Sequence, residues 1–145
     1  MPQNPPTGMP RITPYLYYNN VSLALSWLEK VFRFERRGEI KAPDGSIAYA
    51  EMGFADGVVM MGPASDKDGA LSPIEVSGVN QGLYVYVDDV DLHFQHARLA
   101  GAEVVMEPQD MFWGDRVYKA RDLEGHHWSF ATHVKEIPLA DMQAP

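Results

Sequence analysis

The sequence predicts an α+β fold of two tandem βαβββ repeats, which together supply a curved eight-stranded mixed sheet with helices on its outer face and an open cavity inside. Three observations predict it. "YLYYNNVSL" (Tyr15 to Leu23) recurs as "YVYVDDVDL" (Tyr84 to Leu92), with Tyr15, Tyr17, Val21 and Leu23 each matched 69 positions on. Each copy runs from strand-like residues into apolar residues at helical spacing, and then into strand-like segments again. Short turns, "ADG" and "LEG", precede the last strand of each half, with Gly57 and Gly125 lying 68 positions apart.

Each element has a local cause. Asn19-Asn20 and Asp88-Asp89 follow the opening strands, and their side-chain oxygens suit the free N–H groups of a helix's first turn. Val21, Leu25, Leu28 and Phe32 then share one helical face, which predicts a helix over about 21–34. Val90, Phe94 and Ala97 do the same over about 90–100, where Gly101 stops the helix. "FERRGEIKA", "SIAYAEMGF" and "GVVMMG" supply the remaining strands of the first half. "AEVVMEP", "DRVYKAR" and "HHWSFATHV" supply those of the second.

The modules are therefore 11–61 and 82–134. Residues 1–10 read as a disordered proline-rich leader, and 135–145 as a tail. Residues 62–81, rich in Gly, Pro, Ser and Asp, read as an irregular linker or lid. One βαβββ unit carries a helix on one sheet face and nothing on the other, so the open faces must become a cavity or an interface.

Composition narrows the function. A net charge of −8, with basic residues scattered, argues against nucleic acid, whose phosphates need clustered Lys and Arg. Arg33, Arg36 and Arg37 do cluster, but at a helix end where cations oppose the macrodipole. The chain has no cysteine, which removes disulfides, thiolate metal sites and a cysteine nucleophile together. No apolar run is long enough for a membrane span, and "MPQNPPTGMP" lacks a signal-peptide profile. A cytoplasmic location is the expectation. No phosphate-binding glycine loop or nucleophile elbow is present.

The two βαβββ halves, "YVYVDDVD" opening the second and "FWGDRVYKARDLEGHHWSFATHV" closing it, resemble the glyoxalase / bleomycin-resistance / extradiol-dioxygenase superfamily, also called vicinal oxygen chelate. Trp-Gly-Asp-Arg followed by Asp-x-x-Gly-His-x-Trp is similar to its glyoxalase-like and bleomycin-resistance-like branches. The resemblance runs from about Arg11 to Val134. It implies four inward positions for a divalent metal, one on the first and one on the last strand of each half. Carried over, these fall at Thr13, Met61, Gly82 and Ser129. Hydroxyls, a thioether and a bare glycine are poor donors for Zn, Ni, Fe or Mn, so the expectation is no metal and no cofactor.

Strand alternation sorts the other candidates. His127 shares parity with Ser129 and faces inward, whereas His126 faces the helix layer, so the doublet is not a metal-binding pair. With Thr13 and Gly82 inward, Tyr15, Tyr17, Tyr84 and Tyr86 line the open side. Tyr49 and Glu51 join them, and Lys119 is the repeat partner of Glu51. Glu51 and His127 are the candidate catalytic groups; a structural ion pair, or two solvated side chains at the rim, is the plainer role for Glu51 and Lys119. Trp113 sits in a loop that reads as lid or plug. Asp115 and Arg116 are expected to pair with each other, His93 and His96 to be solvent-exposed, and His133 to fray.

The first functional reading is a metal-free protein that holds a small aromatic or amphipathic molecule against these tyrosines, in a drug-sequestering or resistance-type role, as a homodimer. The alternative is a lyase, isomerase or dioxygenase. It would use Glu51 or His127 as acid or base, or recruit Glu51, His127 or His133 to a divalent metal.

Overall fold

The computed structural model describes residues 1–145. The chain divides into two compact units, Met1–Val76 and Ser77–Pro145. The first holds β1 (Tyr15–Tyr18), α1 (Val21–Phe32), β2 (Glu35–Lys41), β3 (Ile47–Phe54) and β4 (Gly57–Pro63). The second holds β5 (Gly82–Tyr86), α2 (Val90–Leu99), β6 (Glu103–Asp110), β7 (Asp115–Arg121) and β8 (His127–His133). The eight strands bond as two sheets of four, ordered β1-β4-β3-β2 and β5-β8-β7-β6. In each, the first strand is parallel to the last and the other pairs are antiparallel. Identical order in both units is the structural form of the sequence duplication.

Both helices start where the polar pairs predicted. The Asn20 side chain accepts the Leu23 N–H at 3.0 Å, and Asp89 accepts the Leu92 N–H at 3.1 Å. The Val90 N–H also donates to Thr132 Oγ1 at 2.9 Å, and that hydroxyl donates to the Val87 carbonyl at 2.8 Å, which ties α2 to β8. Helix α1 ends two residues earlier than predicted, because Arg33 turns into the left-handed region (φ 63°). Beyond α2, Gly101 takes φ 107°, the conformation for which a glycine is suited.

One face of each sheet is the core. Leu16, Tyr18, Ala50, Met52 and Met61 are buried in the first unit, whose helix contributes Ala24, Leu25, Leu28 and Val31. In the second, Tyr118, Ala120, Trp128 and Phe130 are buried, and α2 buries Val90, His93, Phe94 and Ala97. His93 was expected in solvent, but positions 90, 93, 94 and 97 form a single helical stripe. Its ring lies 4.4 Å from that of Phe130, and Nδ1 is 2.5 Å from the Tyr118 hydroxyl.

The linker and the leader, read as irregular, contain short turns, and so does the tail. Residues 62–81 include the end of β4, a bridge between Ser65 and Ala70, and a short 3-10 turn at Pro73–Glu75. Buried Ser72 caps that turn, and Glu75 accepts a 2.8 Å bond from Asn19. In the leader, the Met9 N–H closes a turn onto the Pro6 carbonyl. The tail forms a 3-10 turn at Leu139–Asp141.

The Asp-x-x-Gly-His-x-Trp motif builds the β7–β8 turn. Asp122 Oδ1 accepts the Glu124 and His126 N–H groups, both at 3.0 Å, and Oδ2 accepts the Trp128 indole N–H at 3.0 Å. Asp122 is buried and spent on the fold, and no helix of the chain is long and apolar enough to cross a membrane.

Candidate functional site

Each unit presents one sheet face without a helix. In the first, Tyr15 pairs with Met60, Met60 with Glu51, and Glu51 with Gly38, so these residues form a row across all four strands on one face. Tyr15, Tyr17 and Tyr49 cluster there, with ring centroids 5.2 Å (Tyr15–Tyr17) and 6.2 Å (Tyr15–Tyr49) apart. Gly62 permits this: a Cβ there would lie 2.6 Å from the Tyr15 hydroxyl, so a bare backbone lets the ring lie down on the sheet.

Met61 does not join them. It is fully buried, on the parity of Leu16 and Ala50, and Met60 takes the expected place. The equivalent cross-strand pairs are Tyr15–Met60 and Tyr84–Ser129, which keeps the offset at 69. The offset of 68 between Gly57 and Gly125 misleads because the chain from Lys119 to its partner Ser129 is one residue longer than the chain from Glu51 to its partner Met60.

Glu51 is engaged on both oxygens. It accepts Arg37 Nε at 3.3 Å and the Tyr49 hydroxyl at 2.8 Å. Arg37 reaches it from a register shift between Arg36 and Gly38, a bulge that frees one extra side chain for this face. Burial, together with donation to Glu51, pushes the Tyr49 phenol up to about 12. Tyr15 is also raised, by burial and then by the neighbouring Tyr17. Arg37 Nη2 donates to the Gly8 carbonyl at 3.3 Å and meets Met9 Sδ at 3.6 Å. The N-terminal residues thus lie against the sheet and complete a cavity of about 650 Å³, lined by Met9, Arg11, Thr13, Tyr49, Glu51 and Met60 among others.

In the second unit, Tyr84, Ser129 and Lys119 form one row and Gly82, His127 and Arg121 another. His127 faces the open side as expected, but its Nε2 accepts from Arg121 Nε at 3.3 Å. Arg121 also reaches Glu103 at 3.1 Å. Lys119 is exposed and makes no ion pair; Glu51 finds its cation in Arg37 instead.

The densest network was not read from the sequence. Asp115, buried, takes three donors: Tyr84 at 2.6 Å and Tyr86 at 2.9 Å on Oδ2, and His133 at 2.8 Å on Oδ1. Trp113 donates its indole N–H to the Tyr84 hydroxyl at 3.1 Å, so this side chain is tied down. Gly114 beside it has φ 97°, and a Cβ would collide with the Lys135 carbonyl at 2.0 Å. Burial pushes the Asp115 carboxyl up, yet the bonds from Tyr84, His133 and Tyr86 outweigh it and leave the group below its ordinary range. Its hydrogen bond to Asp115, and then that to Glu136, raise His133. Tyr84 is raised by burial first and Tyr86 by its bond to Asp115 first.

Two expectations change here. Asp115 does not pair with Arg116, because adjacent strand residues face opposite sides. Arg116 instead holds Asp91 through two nitrogens, at 3.0 and 3.1 Å, and Asp110 at 3.2 Å. His133 is fixed rather than frayed, with Nε2 3.1 Å from Glu136.

The donor set does not fit a metal. Thr13 and Met60 in the first unit, and Gly82 and Ser129 in the second, offer neither imidazole nor carboxylate. No three His, Asp or Glu side chains converge in a way that could hold an ion.

Comparison with known proteins bears on the fold and the family. The family model described as Glyoxalase/Bleomycin resistance protein/Dioxygenase superfamily matches residues 8–130. An uncharacterized protein of Mycobacterium bovis is 31% identical over 138 residues, covering 93% of this chain and 91% of that one. TioX from Micromonospora sp. ML1 is 34% identical, with a TM-score of 0.69 over 87% of this chain and 100% of that one. A superfamily member from Sphaerobacter thermophilus DSM 20745 also reaches 0.69 at 17% identity, over 86% of this chain and 98% of its own, and shares the fold.

Proposed function

The chain belongs to the glyoxalase/bleomycin resistance protein/dioxygenase superfamily, and on that premise we propose that it binds a small aromatic or amphipathic molecule against its open, tyrosine-lined faces without a divalent metal. One observation carries the reading. Glu51, Asp115, His127 and His133 are each held by neighbouring side chains, while Tyr15, Tyr84 and Tyr86 keep their rings exposed. A face arranged this way offers contact area and spends its proton-transfer groups on structure.

The energetics fit a binder. A two-ring ligand covering ~200 Å² of apolar surface gains about 5 kcal/mol before association costs. Rings alone therefore give weak binding, and phenol hydroxyls must add polar contacts for micromolar affinity. A sequestering or resistance-type role follows, in a homodimer whose second copy would close over a ligand held on exposed Tyr84 and Tyr86.

The test is a thermal-shift panel of naphthalene, quinoline and phenylalkyl compounds, alongside elemental analysis and light scattering on the freshly purified protein. Concentration-dependent stabilisation by aromatic compounds is expected, since a ligand of the native state raises its melting temperature. Stoichiometric Zn, Ni, Fe or Mn would overturn the metal-free reading, and a monomeric mass would overturn the dimer.

A second reading has its own observation: Glu51 is the carboxylate that lines the cavity of the first unit, beside Tyr49. As a general base in a lyase or isomerase it would have to release Arg37 or Tyr49 first. Turnover of a carbonyl substrate that disappears in Glu51→Gln would favour it.

A further inference from the structure

We infer that the cavity of the first unit selects a small aromatic carboxylate, with Arg11 as the group that reads its charge; this rests on the binding function proposed above. The chain carries a net −8, yet the charged side chains lining this cavity are Arg11, Arg37 and Glu51. Arg37 and Glu51 neutralise one another at 3.3 Å. Arg11 is exposed and makes no ion pair, so the lining carries one surplus positive charge in an acidic protein.

The remaining walls suit a flat ring. Met9 and Pro10 stand on the N-terminal side and Tyr49 and Met60 on the sheet side. Thioethers are soft, adaptable partners for aromatic faces, and Tyr49 adds an aromatic wall. A guanidinium binds a carboxylate as a two-pronged fork, which an ammonium or a hydroxyl cannot do. The N-terminal segment is thus part of the site. Arg37 fastens it through the Gly8 carbonyl and Met9 Sδ, and it carries Arg11 to the rim.

The experiment titrates the full-length protein, labelled at its methionine methyls, with 2-naphthoate, 2-naphthalenemethanol and 2-naphthylmethylammonium. Native protein is compared with Arg11→Gln and with Arg98→Gln, a surface control of equal charge change. Shifts at Met9 and Met60 are expected, with naphthoate bound about tenfold more tightly than the alcohol and the ammonium weakest. Arg11→Gln should erase that preference and leave the alcohol's affinity within about twofold; Arg98→Gln should change neither. Equal binding of naphthoate and alcohol by the native protein, or equal loss of both in Arg11→Gln, overturns the charge selection while leaving aromatic binding intact. Binding that leaves Met9 and Met60 unmoved overturns the location. No binding of any probe overturns both this inference and the function it rests on.

Discussion

Asp115 and His133 face each other across the β7–β8 ladder, and the imidazole Nδ1 lies 2.8 Å from a carboxylate oxygen that is out of reach of solvent. Tyr84 and Tyr86 hold the other oxygen of Asp115, and Glu136 faces the far nitrogen of His133. An imidazolium, with two N–H donors, suits this position between two carboxylates better than the neutral ring does.

The pair makes stability depend on pH, with a sign at each end. His133 is raised above its ordinary 6.5, so its contribution is complete below that value and is lost as pH rises through the folded one. Asp115 is depressed below 3.8, so its contribution is complete above that value and is lost as pH falls through the folded one. The stability difference between the native protein and His133→Gln should therefore be largest between these limits and shrink on the alkaline side. Urea melts at several pH values, with an NMR titration of the His133 ring, would check it. A His133 midpoint below 6.5 contradicts the pairing.

Asp122 should matter for folding and leave binding alone. Its buried carboxylate serves two turn N–H groups and the Trp128 indole. Asp122→Ala strands that indole and opens the turn, a loss of about 2–4 kcal/mol. Asp122→Asn keeps one acceptor oxygen but turns an NH2 toward a donor on the other side, so it should destabilise the protein by a comparable amount. Denaturant midpoints measured at unchanged slope would show this, whereas loss of ligand binding in a still-folded Asp122→Asn would give the motif a functional role.

Arg33 offers the opposite sign. A non-glycine residue in the left-handed region costs about 1–2 kcal/mol, and glycine gives back about 0.5–1 kcal/mol in unfolded-chain entropy. Arg33→Gly should therefore stabilise the protein by about 0.5–1 kcal/mol, read as a higher urea midpoint. Unchanged or lower stability would mean that the arginine side chain compensates for its backbone.

The fold was legible because its signals are local and doubled. Asn20 and Asp89 announce both helix starts, and alternation places Tyr15, Tyr17, Tyr84 and Tyr86 on the open faces. What stayed hidden depends on counting and on distance. The bulge at Arg37 cannot be read from "ERRGE", so the partner of Glu51 was missed. One extra residue between Lys119 and Ser129, relative to Glu51 and Met60, moved the equivalent of Ser129 from Met61 to Met60. Asp115 shares parity with Lys119, a signal that could have found it. Its partners Tyr84, Tyr86 and His133 are 31, 29 and 18 positions away, and only the folded sheet joins them.

Adjacent methionines give the sharpest test of the corrected register. Met61 is fully enclosed with Leu16 and Ala50, so Met61→Ala should leave a cavity and cost about 2–5 kcal/mol. Met60 points to the open face beside Glu51 and Tyr15, and Met60→Ala should cost less than about 1 kcal/mol. Its effect should appear in ligand affinity, because it removes a wall of the cavity. Paired urea melts and 2-naphthoate titrations of the two variants separate the roles. The reverse pattern, with Met60→Ala unfolding the protein and Met61→Ala weakening only binding, would shift β4 by one residue and turn every side chain on it to the opposite face.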